Sequence, residues 1–142
     1  MRGFLVQDGD LVLGQLGYAE ISGATKVGQD LSFAIQEPYG CDRFHAGWGS
    51  LLSSMIGTAQ TGSSLQQVQN EINRVVGNYI NVQTSIIQAT ALANQVPTYT
   101  NDDVVSSIEN IAVSQNTTTI AATLNVLCVS GSNVLLTPTV NS

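Results

Sequence analysis

The stretch Gln36-Glu37-Pro38-Tyr39-Gly40-Cys41-Asp42-Arg43-Phe44-His45-Ala46-Gly47-Trp48-Gly49-Ser50 gathers the residue types that could do chemistry. It holds the only Trp, the only His, one of two Cys and one of three Pro, with two acids and an arginine beside them. Glu37 and Asp42 are an acid pair of the kind that glycoside hydrolysis places across a sugar bond. Acids beside a Gly-Pro turn are more commonly surface or salt-bridged groups, and no second acid-rich segment offers a polysaccharide groove. Cys41 and His45 supply a thiol and an imidazole, yet a nucleophile and its base ordinarily come from distant segments, oriented by a third group. One His and two Cys fall short of four zinc ligands, and there is no Cys-x-x-Cys pair. Gly47-Trp48-Gly49 lacks the lysine and the preceding strand of a phosphate loop. The sequence therefore predicts no catalytic residue, no metal and no cofactor.

Arg43 and Trp48 fit a structural role better. A guanidinium holds carbonyls or a carboxylate in fixed geometry, and an indole in a Gly-flanked turn brings a large apolar surface to one point. The pair either locks the turn onto the protein's own core or forms the hot spot of an interface. The sequence leaves both open.

The elements that must position this segment are legible in the pattern. Phe4–Val6 and Leu11–Leu13 flank Asp8-Gly9, a hairpin signal because Gly tolerates a positive φ. Val27, Leu31, Ala34 and Ile35 recur at helical spacing, with Ser22 or Thr25 as N-cap and Pro38 as terminator. Leu51, Leu52, Met55 and Ile56 predict a short second helix stopped near Gly57. Ser64 and Gln67 form a capping-box pattern for a third, whose seam runs Leu65, Val68, Ile72, Val75, Tyr79, Val82, Ile86, Ala89 and Ala93. That helix is expected from Ser64 to about Asn94, with Gly77, about 1 kcal/mol worse than Ala, as the place to bend or break. Its flanks are Gln, Asn and Ser, which suits packing on its own sheet or a neighbouring chain better than an isolated coiled coil. Asp102 and Asp103 fall at a helix or strand entrance. Residues 108–115, 119–129 and 133–140 read as β, joined by turns at Asn116 and Ser130-Gly131-Ser132. The fold class expected is α+β: an N-terminal hairpin, three central helices and a C-terminal antiparallel meander, in one domain spanning 1–142.

Composition narrows the partners. Only 10% of residues are charged, against about 25% in typical proteins, which suits faces covered by neighbours. The net charge is −6, and the basic residues are Arg2, Lys26, Arg43 and Arg74 alone. Nucleic-acid binding and polybasic membrane contact both need more cations. Cys41 and Cys128 are expected as free thiols. No signal-peptide pattern and no membrane-length apolar run is present, so a soluble, cytoplasmically made protein is expected.

The run Gly40 to Leu51 resembles the signature of the baseplate wedge family of contractile-tailed phages, labelled "lysozyme-like" in older usage and related to a type VI secretion baseplate component. Gly40, Asp42, Arg43, Trp48, Gly49 and Leu51 fill matching positions, and the order of elements agrees from about Gly23 to Val129. Ala46 stands where the family has Pro. Near Val105-Ser106-Ser107 there is no counterpart of the Glu-Pro-Arg motif implicated in docking to the wedge core. The third helix also looks longer than is usual in the family. The resemblance implies a non-enzymatic virion component, present in several copies, that joins the wedge core to the first ring of sheath subunits and starts sheath assembly. Its partners would be other wedge proteins, the tail sheath protein and hub or tube-proximal proteins. Gly40, Asp42, Arg43, Trp48 and Gly49 would be structural or interface anchors. The meander would accept a strand lent by the sheath, around Ile120, Leu124, Val126 and Val129. The alternatives are a cell-wall hydrolase, or a part of a related injection or secretion machine.

Overall fold

A computed structural model describes residues 1–15, 17–58 and 61–141. The mixed α+β architecture is as expected: N-terminal hairpins, a long helix and a C-terminal antiparallel sheet.

The N-terminus holds three short arms rather than one hairpin. β1 (Arg2–Phe4) pairs with β6 (Glu20–Ser22), β2 (Val6–Gln7) with β3 (Asp10–Leu11), and β4 (Leu13–Gly14) with β5 (Gly17–Tyr18). Asp8 and Gly9 both take positive φ, 53° and 87°, as a two-residue hairpin turn requires. The two expected strands are interrupted at Leu5 and Val12, and the β5–β6 stretch, which is not among the expected strands, is interrupted at Ala19. There the Leu5 N–H donates to Ala19 O (2.8 Å), Val12 N–H to Leu5 O (3.0 Å) and Ala19 N–H to Val12 O (2.8 Å). These three bonds close a ring from which the arms radiate. Gln29 fastens the ring to the first helix, accepting from Val6 N–H and donating to Phe4 O.

α1 (Gly23–Gln36) buries Val27, Leu31, Ala34 and Ile35 and ends before Pro38, as the spacing predicts. Ser22 is its N-cap residue, but its side chain makes no capping bond. Asp103 takes that part instead, accepting from Gly23 N–H at 2.7 Å. α2 (Leu52–Met55) is a single turn. α3 (Gly62–Leu92) is capped by Thr61, with Ser64 as the reciprocating partner rather than the cap. It passes through Gly77 unbroken. Its seam is buried from Val68 to Tyr79, while Val82, Ile86 and Ala89 are exposed near its C-terminal end.

β7 (Val105–Gln115), β8 (Thr119–Cys128), β9 (Asn133–Leu136) and β10 (Thr139–Asn141) form the meander. The expected last strand is split by Pro138, which has no N–H to give to a ladder, though its carbonyl still accepts from Ala122 N–H. β8 is central, with β7 along one edge and β9 and β10 along the other. Ile120, Ala122, Leu124, Val126 and Cys128 alternate on its inner face and meet Leu31, Ile35, Ile72 and Val76 in one core. This corrects the expected strand acceptor. Ile120, Leu124 and Val126 lie in a strand with both edges occupied, and Val129 lies just past its end with its N–H given to Val104 O. The edge strands are β7 on one side and β9 and β10 on the other, each pairing only with β8 among the described residues, and β7 is the longest of them.

Asp103, 2% exposed, ties these layers together. It accepts from Gly23 N–H, from the N–H and hydroxyl of Thr100, and from the Met1 amino group at 2.5 Å. Gln83 of α3 clasps the same point, donating to Asp103 O and accepting from Val105 N–H. Burial alone would raise the Asp103 pKa, but the Met1 amino group and the Thr100 and Gly23 donors outweigh it and hold the group at about 2. A carboxylate held below its ordinary value stabilises the fold above that value and stops doing so as pH falls through the folded-state pKa. The shift from 3.8 to about 2 corresponds to roughly 2 kcal/mol. Urea denaturation should therefore show the wild type losing stability between about pH 4 and pH 2. Asp103→Asn should be weaker by about 2 kcal/mol at neutral pH and show a flatter acid limb over that window.

Candidate functional site

The segment rich in rare residues is a loop pinned at its base and free at its tip. Its arms are zipped by Tyr39 N–H to Ser50 O, Ser50 N–H to Glu37 O, and Gly40 N–H to Trp48 O. The buried Ser50 hydroxyl donates to Ile35 O at the end of α1. Gly49, at φ 88°, lies so close to the opposite arm that a Cβ would sit 2.6 Å from Pro38 O. No other residue fits there, which accounts for the Gly of the motif.

α3 supplies the clamp. Asn78 donates to Gly47 O, Arg74 donates to Gly49 O at 2.9 Å, and Glu71 accepts from Leu51 N–H at 2.8 Å. Positions 71, 74 and 78 share one face of the helix. The Arg74 guanidinium also donates to both Glu71 oxygens, at 2.7 and 2.9 Å, and lies 5.0 Å above the Tyr39 ring. Burial would raise the Glu71 pKa, but Arg74 and the Leu51 N–H overcome it and keep the carboxyl ionised below its usual range. The Trp48 indole packs on the core with its centroid 6.1 Å from that of Tyr79. The Tyr79 hydroxyl, its pKa driven up by burial and by the neighbouring carboxylate, donates to Asp30 of α1.

Of the two anchors read from the sequence, Trp48 serves the fold. Arg43 is exposed, and its side chain makes no hydrogen bond or ion pair among the described residues. Arg74, which the motif does not contain, does the internal anchoring. The signal for it was present, since Glu71 and Arg74 are the only charged residues of α3.

The tip is ordered from within. Asp42 accepts from Phe44 N–H (2.8 Å), His45 N–H (3.2 Å) and His45 Nδ1 (2.9 Å). The Phe44 N–H first, then His45, hold its carboxyl below the usual range. Glu37 accepts from the Cys41 thiol at 3.2 Å, and that bond raises the thiol pKa. A thiol bonded to a carboxylate is a poor nucleophile at neutral pH. Both acids thus help to order the loop, and Glu37 also borders an open surface depression beside Phe33 and Gln36. Among the described residues no three His, Cys, Asp or Glu side chains stand together as a metal site. What the tip offers to solvent is Arg43, His45 and Phe44, the last 89% exposed. Sequence reasoning passed over Phe44.

No helix is long and apolar enough to cross a membrane among the described residues. Comparison with known proteins finds no matching family model, no similar curated protein and no similar solved structure.

Arg74→Ala removes the tie to Gly49 and the counter-ion of Glu71, and because the guanidinium is part-exposed this should cost about 1–2 kcal/mol in urea denaturation. Arg43→Ala, at an exposed and unpaired position, should change stability by less than about 0.5 kcal/mol.

Proposed function

We propose that the protein is a non-enzymatic part of a contractile-tail baseplate, a wedge component that links the wedge core to the first sheath ring. The observation that carries this reading is the clamped loop. It spends a part-buried ion pair, an indole and a glycine that accepts no side chain on fixing the base of a loop whose exposed tip is Arg43-Phe44-His45. A rigid loop that presents an arginine and an aromatic ring is the composition and pre-organisation of an interface hot spot. The same loop carries the residues that resemble the wedge family, and the chain as a whole is poor in charge, as covered surfaces are.

In this reading the tip docks on a neighbouring wedge protein, and the open edge of β7 takes the strand lent by the sheath. An added strand would satisfy the outward N–H and C=O groups of β7 and would take its register from them. Asp42 and Glu37 act as loop-ordering groups, with no part in hydrolysis.

Co-expression with the sheath and wedge proteins of the same gene cluster tests this, with pull-down as the readout. Arg43→Ala and Phe44→Ala should fold normally and lose the wedge partner by at least about tenfold, about 1.4 kcal/mol. Neighbouring amides on a strand point to opposite edges, so prolines placed singly at Ala112 and Val113 separate two effects. One should damage the pairing with β8, and the other should fold and fail to bind sheath. Unchanged capture by the tip variants and by both folded proline variants would overturn the assembly reading. So would lysis of cell-wall substrate that disappears in Asp42→Asn.

A further inference from the structure

β9 and β10 lie end to end along one side of β8, and their pairing shows which backbone groups are already spent. Cys128 N–H donates to Ser132 O, and Ala122 N–H to Pro138 O. In an antiparallel ladder hydrogen-bonded pairs alternate with non-bonded ones, so residues 132, 134, 136 and 138 turn their backbone groups toward β8. Leu135 and Thr137, one position out of step, turn theirs away. Neither backbone has a hydrogen-bond partner among the described residues. Farther along the same edge, at Thr139, the outward carbonyl is covered by the side-chain amide of Gln36.

The uncovered stretch borders a groove of about 450 Å³, a size typical of ligand sites. Leu135 and Thr137 lie along one wall, Gly28 and Ser32 of α1 along another, and Leu5 and Val6 of the N-terminal ring along a third. No charged side chain lines it. A Cβ on Gly28 would lie 3.2 Å from the side chains of Val134 and Leu136, so the helix packs closely on the inner face of β9 while the edge beside it stays open. The backbone pattern names the occupant. Unpaired N–H and C=O groups two residues apart on a strand edge are complementary to another extended segment, which satisfies them as an added strand. The side chains of such a segment alternate between faces. Those on the face shared with Val134 and Leu136 enter the groove toward Ser32 and Phe33, where a charged group would lose water and find no counter-ion.

We propose that the groove between β9 and α1 is a strand-docking site. It takes an extended, uncharged segment of a partner protein, which pairs with the backbone of Leu135 and Thr137 and sets alternate apolar side chains against Ser32 and Phe33. The inference is independent of the baseplate reading, since it uses neither the Arg43 loop nor the β7 edge.

Two measurements on the full chain test it. Amide hydrogen exchange followed by NMR should find Leu135 and Thr137 fast in the free protein while Val134 and Leu136 are slow. A displayed library of random linear peptides, panned on the full chain, should then yield binders with uncharged, apolar residues at alternate positions. The most enriched peptide, synthesised and labelled, is the probe. Its binding should slow exchange at Leu135 and Thr137 by at least about tenfold. Leu135→Pro removes an outward N–H and leaves the ladder to β8 intact; Ser32→Trp fills the groove from the helix side. Each should weaken the probe by at least about tenfold in fluorescence anisotropy, and Leu92→Ser, at an exposed site elsewhere, should not. Circular dichroism melts establish that the variants fold, and if the proline variant does not, Ser32→Trp and the exchange pattern decide. Slow exchange at Leu135 in the free chain would overturn the proposal, because the edge would already be covered. A library that yields no binder, or a probe indifferent to the groove variants, would overturn it equally.

Discussion

The constraint on which the site depends is α3, which ties the loop, α1 and the start of β7 to one helix. The buried stripe Val68, Ile72, Val75, Val76 and Tyr79 sits in the core with the sheet and α1. At five points polar side chains of the same helix reach the flanking chain: Glu71, Arg74 and Asn78 to the loop, Tyr79 to Asp30, and Gln83 to the start of β7. Apolar burial supplies the affinity between layers without fixing direction. Hydrogen bonds from one rigid rod supply the direction. A chain with so few charges does most of this with amides, hydroxyls and backbone groups, and sets a part-buried ion pair, Glu71 with Arg74, where the loop meets the helix.

That arrangement separates holding from presenting. Glu71 and Arg74 face inward and are spent on the fold, whereas Arg43 lies in the same loop with nothing to bind within the described chain. The acids that looked reactive beside a cysteine and a histidine are likewise spent, on Phe44 N–H, the imidazole and the thiol. Crowded rare residues mark a site here, but each of these is explained by geometry that fixes a small exposed tip.

The helices and the meander were legible because burial imposes a period. Leu31 and Ile35, or Ile120 through Cys128, must face one way for the core to close, and the spacing records it. Three features left no such record. Ser22 looked like a cap, but the capping carboxylate came from Asp103, far along the chain. Arg43 and Arg74 are the same residue type, and only the path of α3 decides which one meets Gly49 O. The resemblance implies the meander as strand acceptor, around Ile120, Leu124, Val126 and Val129, yet the alternation of Ile120, Leu124 and Val126 marks a central strand with a buried face. Edges are read from pairing, which β9 and β10 decide by returning to the same side of β8.

The ring of Leu5, Val12 and Ala19 has a further consequence. Each of the three residues donates to one member and accepts from another, so register is set at the hub and not along the arms. An arm lengthened by one residue pair on each side of its turn would leave the other two arms and the Gln29 tie undisturbed. The N-terminus is in this sense modular: two hairpin arms, β2–β3 and β4–β5, stand on one fixed joint, and their reach changes by insertion while the β1–β6 pair stays tied to α1 and the core beneath.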